Sequence, residues 1–240
     1  MIPLRLLASG LAILALAGCA HSIDIEPDLG KIGPTSSARI AAKVGYHVPP
    51  EMLNIEITTP GGGGDNVRYN PYAAMSSGYR MMLSNVFERV VPIASLSDLH
   101  SEAGASLDYV AIPTVITNSG GSNVFTWPPE NFTVDLTTTL RNREGNIVAS
   151  PRVVGIGTAT TGERLSDQGF SGRRALEDAL RKMELALREW GSAGKPASSG
   201  GAQSMPGISD RLRQLKDLLD SKMISEREYE IKRKAILDEL

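Results

Sequence analysis

The stretch Phe132–Leu140 constrains this chain more than any other. Phe132, Val134, Leu136, Thr138 and Leu140 take every second position, with Thr133, Asp135, Thr137 and Thr139 between them. A period of two puts the first set on one face of a strand and the second set on the other. Such a strand has one face to bury, so the chain has to build a sheet with one covered side. The next residues supply neighbours for it. Glu144-Gly145-Asn146 reads as a tight turn, and Ile147–Ala149 with Arg152–Thr160 reads as returning strands.

The cover comes from two stretches of helical spacing. Tyr72, Met75, Tyr79, Met82, Val86 and Val90 predict a helix from Tyr72 to about Val91. Leu176, Ala179 or Leu180, Met183, Leu187 and Trp190 form the apolar stripe of a second helix, over about Gly172–Trp190. Arg39–Val48 and Leu53–Thr59 are strand-like on either side of Pro49-Pro50, and Val91–Ala94 is a candidate short strand. Asp108–Thr117 is a further strand, whose Pro113 argues for an edge position or a bulge. Gly155-Ile156-Gly157 inside a strand points to a bulge or to close packing under a helix. The element order predicts an α+β fold: a mixed or antiparallel sheet with two helices on one face. Through its "Asp-Tyr-Val-Ala-Ile-Pro" strand and "Arg-Asn-Arg-Glu-Gly-Asn-Ile-Val" turn, this region resembles α/β modules of envelope accessory lipoproteins. It is also similar to the amino-terminal domain of the Tol-system periplasmic protein.

The amino end reads as an export signal. Arg5 and the free amino group give a positive start, and Leu6–Leu16 gives about eleven mostly apolar residues, against the roughly 20 needed to span a bilayer. The run closes on Leu16-Ala17-Gly18-Cys19, which resembles the lipobox of bacterial lipoproteins. The resemblance implies cleavage before Cys19, acylation of that cysteine (a palmitate-type modification), and a place in the outer membrane facing the periplasm, since Ala20 and not Asp follows. Two or more acyl chains anchor a protein stably where one is marginal. Cys19 is the only cysteine, so the mature chain forms no internal disulfide.

Residues 20–37 show no period and are expected to form a tether between lipid and domain. Residues 191–207, rich in Gly, Ser, Ala and Pro, are expected to be a flexible linker. The expected organisation is therefore a signal peptide at 1–18, lipid and tether at 19–37, an α+β domain at 38–190, a linker at 191–207 and a helical piece at 208–240.

That last piece carries Leu212, Leu215, Leu218 and Leu219 on one stripe, then the corner Lys222-Met223-Ile224-Ser225-Glu226-Arg227-Glu228-Tyr229, then a basic helix. Ser225 and Glu228 are spaced as a capping box, and Ile224 and Tyr229 as a hydrophobic staple. The pattern resembles the SHOCT family, short carboxy-terminal helical hairpins of bacterial proteins. A hairpin this short buries little alone, so its leucine stripe calls for a protein partner, a second copy or its own domain.

Nothing is spaced for catalysis. His21, His47 and His100 do not share an element, so no zinc site is expected. No Gly-x-Ser-x-Gly elbow exists. Gly61–Gly64 lacks the Lys-Ser/Thr of a phosphate loop, so Pro60–Asp65 is expected to be a mobile loop. Asp108 and Asp135 are expected on solvated strand faces. A net charge of −2 with dispersed cations gives no nucleic-acid surface. One loop stands out: Asn118–Asn131 places Val124, Phe125 and Trp127 at an expected hairpin tip. Either Trp127 folds back onto the sheet, or Phe125 and Trp127 meet lipid headgroups or a partner. The sequence thus predicts a non-catalytic, lipid-anchored envelope protein, free of metal and cofactor, whose terminal hairpin mediates self-association or docking. The alternative is a ligand-binding or accessory subunit of an envelope export or transport system.

Overall fold

A computed structural model describes residues 20–33, 37–96, 106–121 and 127–193, together with Lys216 and Arg233. The chain divides into two units, residues 1–195 and 196–240. In the second, Lys216 and Arg233 are helical and exposed. The first is an α+β unit with these elements in order: β1 (Ala20–Ser22), α1 (Leu29–Ile32), β2 (Ile40–Tyr46), α2 (Pro50–Leu53), β3 (Ile57–Gly62), β4 (Asp65–Tyr69), α3 (Pro71–Val86), β5 (Phe87–Pro92), β6 (Tyr109–Gly120), β7 (Asn131–Asn142), β8 (Ile147–Ala149), β9 (Arg152–Thr158), α4 (Thr161–Ser166) and α5 (Phe170–Ser192).

The larger sheet is mixed. Its order is β5–β2–β6–β7, with β8 and β9 both pairing on the far side of β7. β2 runs parallel to β5 and β6, whereas β6, β8 and β9 run antiparallel to β7. The alternation in β7 is realised in full: Phe132, Val134, Leu136, Thr138 and Leu140 are all at 0% exposure. α3 and α5 pack on that face and against each other. The α5 stripe of Leu176, Ala179, Leu180, Met183 and Leu187 is fully buried with it. The one hydroxyl on the buried β7 face, Thr138, accepts a hydrogen bond from Tyr79 Oη at 3.1 Å, which offsets the cost of burying both.

Gly155 and Gly157 lie where α5 crosses β9. A Cβ at either would collide with main-chain carbonyls of α5, those of Ala175 and Ser171. Of the two roles open to this pair, close packing under a helix is the one realised. Pro113 sits inside β6, just beyond Ala111, where pairing with β2 stops. Its missing N–H therefore breaks no rung of that ladder. On the sheet's other face Leu107 and Val110 form a small second cluster with Val91, Ile93 and Ile112.

Three expectations need correction. The first helix stops at Val86, because Phe87–Pro92 enters β5 beside β2; Val90 belongs to the sheet. The four glycines form a turn and not a free loop: β3 and β4 pair up to Gly62↔Asp65, and Gly63 and Gly64 turn the chain at φ 64° and 89°. Both angles fall in the left-handed region that a two-residue hairpin of this hand requires and glycine supplies. Residues 20–33 are not a tether. Ile25 is 1% exposed and Ile32 3% exposed, and β1 pairs with β4 in a three-stranded sheet of order β1–β4–β3.

Candidate functional site

Residues 23–33 form a strap along the seam between α3 and α5, and small residues open that seam. A Cβ at Gly78 of α3 would meet Pro27 and Leu180 at 2.8 Å, and Cβ atoms at Gly172 of α5 and at its N-cap, Gly169, would collide with Ile25 and the Asp24 carbonyl. Polar groups then clamp the strap along its length. Glu177 on α5, 4% exposed, accepts from the Asp28 amide at 3.1 Å and from Lys31 Nζ at 3.1 Å. Ser77 donates to Glu26, and Arg173 Nε to the Glu26 carbonyl. Asn85 Nδ2 donates to the carbonyls of Ile32 and Gly33 and to Glu184 Oε2, and Glu184 also pairs with Arg188. A buried carboxylate is tolerated only when its oxygens are satisfied, and Glu177 and Glu184 each meet that condition at the strap.

The start of the strap stands at one end of the unit. β1 is in register with β4, Ala20↔Asn66 to Ser22↔Arg68. The His21 ring lies 4.6 Å from the Trp127 ring, and His21 Nε2 is 3.6 Å from Asp65 Oδ2. Trp127 is half-buried and rests on Gly61, where a Cβ would come within 2.5 Å of its six-membered ring. Trp127 thus folds back onto the β3–β4 hairpin, beside His21 of β1. Just inside, hydroxyls tie the small sheet to β6. Tyr69 Oη donates to Thr117 at 2.9 Å, Thr59 and Ser119 share a 2.6 Å bond, and Ser119 donates to the Pro60 carbonyl. Burial raises the Tyr69 hydroxyl above its ordinary pKa, with the Thr117 and Thr59 hydrogen bonds opposing that rise.

The opposite end is equally well marked. Ser171 and Arg164 bond to the carbonyls of Pro129 and Pro128, so α5 starts near Trp127. It finishes beside Ile40 and Tyr109: a Cβ at Gly191 would strike Ile40, and Trp190 meets Tyr109 edge-on at 5.3 Å.

Cys19, Leu16, Ala17 and Gly18 lie outside the described residues, as do Phe125, His100, Leu212, Leu215, Leu218, Leu219, Ile224, Ser225, Glu228 and Tyr229. Asp135 is paired with Arg152 and Asp108 accepts from the Lys43 amide, so neither carboxylate is idle. His47 is buried, with its Nδ1 3.2 Å from the Ile93 carbonyl. Among the described residues no group of three or more His, Cys, Asp or Glu could hold a metal, and no helix is long and apolar enough to cross a membrane.

No protein-family model and no curated protein matches the chain. Solved structures with a similar arrangement of elements include a Xanthomonas campestris protein of the DUF330 family, at 13% identity and a TM-score of 0.42, covering 72% of this chain and 94% of that one. A Caulobacter crescentus protein described as a candidate lipoprotein has 14% identity and a TM-score of 0.34, covering 65% of this chain and 93% of that one. The PelC dodecamer of Paraburkholderia phytofirmans has 15% identity and a TM-score of 0.32, covering 61% of this chain and 94% of that one.

Sequence reasoning missed two features. One is the strap with its clamp. The other is a protected sheet edge: β9 would expose unpaired main-chain groups, but α5 reaches over and occupies them. Asp178 accepts from the Ile156 amide at 3.0 Å, while Lys182 and Arg174 donate to the carbonyls of Val154 and Thr158 at 2.8 and 2.9 Å. Their spacing of four along α5 was a readable signal.

Proposed function

We propose that this is a non-catalytic lipoprotein of a bacterial envelope, acylated at Cys19, held in the outer membrane facing the periplasm. Its 208–240 hairpin binds a protein partner or a second copy of the chain. One observation carries the reading: just beyond the lipobox the chain is already built into the fold, with Ala20–Ser22 paired to β4 and the strap that follows in the core. Cleavage before Cys19 would therefore leave every described element intact. The anchored end and the end of α5, from which the chain leads on to the SHOCT-like segment, lie at opposite poles. That suits a domain that holds position while its terminal segment finds a partner.

An open cleft between the strap and the start of α3, lined by Ile23, Glu26, Tyr69, Asn70 and Ala73, supports a second reading. In it the domain is the ligand-binding or accessory subunit of an envelope transport system.

Metabolic labelling with a palmitate analogue tests the anchor: the full chain takes up label and Cys19→Ser does not. Crosslinking in cells tests the hairpin. Adducts seen with the full chain should vanish when residues 208–240 are removed; adducts that persist unchanged exclude the hairpin as the docking element.

A further inference from the structure

We infer that the unit stands upright on the lipid surface: the end carrying Ala20, the Gly63-Gly64 turn and Trp127 meets the bilayer, and the carboxyl end of α5 points away from it. This rests on acylation at Cys19. Adjacent Cα atoms are about 3.8 Å apart, so an acylated residue 19 lies one step from Ala20, which is paired to Asn66. Because residues 23–33 are clamped to α3 and α5, no slack chain lets the domain drift or turn over. His21, two positions from the lipid, carries the Trp127 ring at 4.6 Å, which places that ring within roughly 15 Å of residue 19.

Chemistry favours this end over the flanks. Its turn is glycine, its aromatic is of the kind that settles at membrane interfaces, and the Asp65 carboxylate there faces His21. A flank laid flat would press charges against lipid: Lys31 and Arg173 along the strap, Asp178 and Lys182 along the β9 edge, or Asp135 and Arg152 on the open sheet face. Desolvating those groups costs free energy. α5 has 23 residues and so runs about 34 Å, which sets Trp190 and Ser192 well clear of the headgroups.

The test uses the full-length acylated protein in phosphatidylethanolamine–phosphatidylglycerol vesicles, with and without lipids brominated near the headgroup. The chain has two tryptophans, so Trp190→Phe leaves only Trp127 and Trp127→Phe leaves only Trp190. Trp127 emission is expected to fall about two-fold in brominated vesicles, and Trp190 emission to stay the same. A fluorophore on Glu144→Cys, in the exposed turn beside the distal end of β7, gives a reading that leaves both tryptophans in place and is expected to stay unquenched. Protein that floats with vesicles but shows no Trp127 quenching, or a quenched label at 144, overturns the orientation and leaves the anchor standing. Protein that fails to float overturns the anchor and the orientation together.

Discussion

At Gly155 and Gly157 the main chain of β9 passes under α5 with no room for a side chain. Gly155→Ala forces a methyl into the Ala175 carbonyl, and overpacking of this kind costs about 3 kcal/mol. A drop in the denaturant midpoint checks it; an unchanged midpoint would mean that α5 can lift. Asp178 gives a prediction in pH. Partial burial opposes its ionisation, but the Lys182 ammonium, the Ile156 amide and Arg181 outweigh burial and hold its carboxyl below the ordinary 3.8. A depressed carboxylate stabilises the fold fully above the unfolded value and ceases to as pH falls through the folded one. The Thr160 amide and hydroxyl likewise lower Glu163 from 4.5, with Arg174 adding to the effect. Stability should therefore erode as pH falls below about 4.5, and Asp178→Asn should flatten the lower part of that loss in thermal melts.

Among elements, the strap differs most from expectation. Ile25→Ala should cost about 3 kcal/mol, as for a core residue, where a tether residue would cost nothing measurable; thermal melting of the two proteins decides. At the β9 edge, Asp178→Ala combined with Lys182→Ala should promote association of the folded protein, seen by light scattering, because free strand edges recruit partners. Several elements were legible because burial imposed a period: β7 through alternate positions, α5 through its stripe. The strap was not legible. Its isoleucines at 23, 25 and 32 are spread among Pro27, Asp28 and Gly30, and Ile25 and Ile32 lie against glycines of distant helices that leave no periodic trace. α4 falls in the stretch between Thr160 and Gly172 to which the sequence assigned no element, although Thr160 and Glu163 form a full capping box. The β5 entry was hidden because Val90 continued a helical spacing by chance, while the parallel ladder to β2 that claims it is a long-range fact. Of the candidate site, Trp127 was visible as an anomaly, and its seat on Gly61 followed only from the tertiary structure.

For the molecule as a whole, the strap closes a circuit between the two ends of the unit. The Asp28 amide meets Glu177, and Arg188 Nη1 meets the Ala38 carbonyl, across 149 and 150 positions of sequence. Deleting residues 20–33 should therefore destabilise α3 and α5 and not merely shorten the chain. Near-ultraviolet circular dichroism should show the loss of fixed tyrosine and tryptophan environments; a native spectrum would return the segment to the status of a leash. The circuit also bears on biogenesis. A chain made from its amino end presents Ile25 among its first core residues and must wait for Gly172 and Glu177 before that residue has a home. Contacts of such span slow folding. Until α5 emerges the polypeptide stays open, the condition in which a narrow translocation channel can pass it.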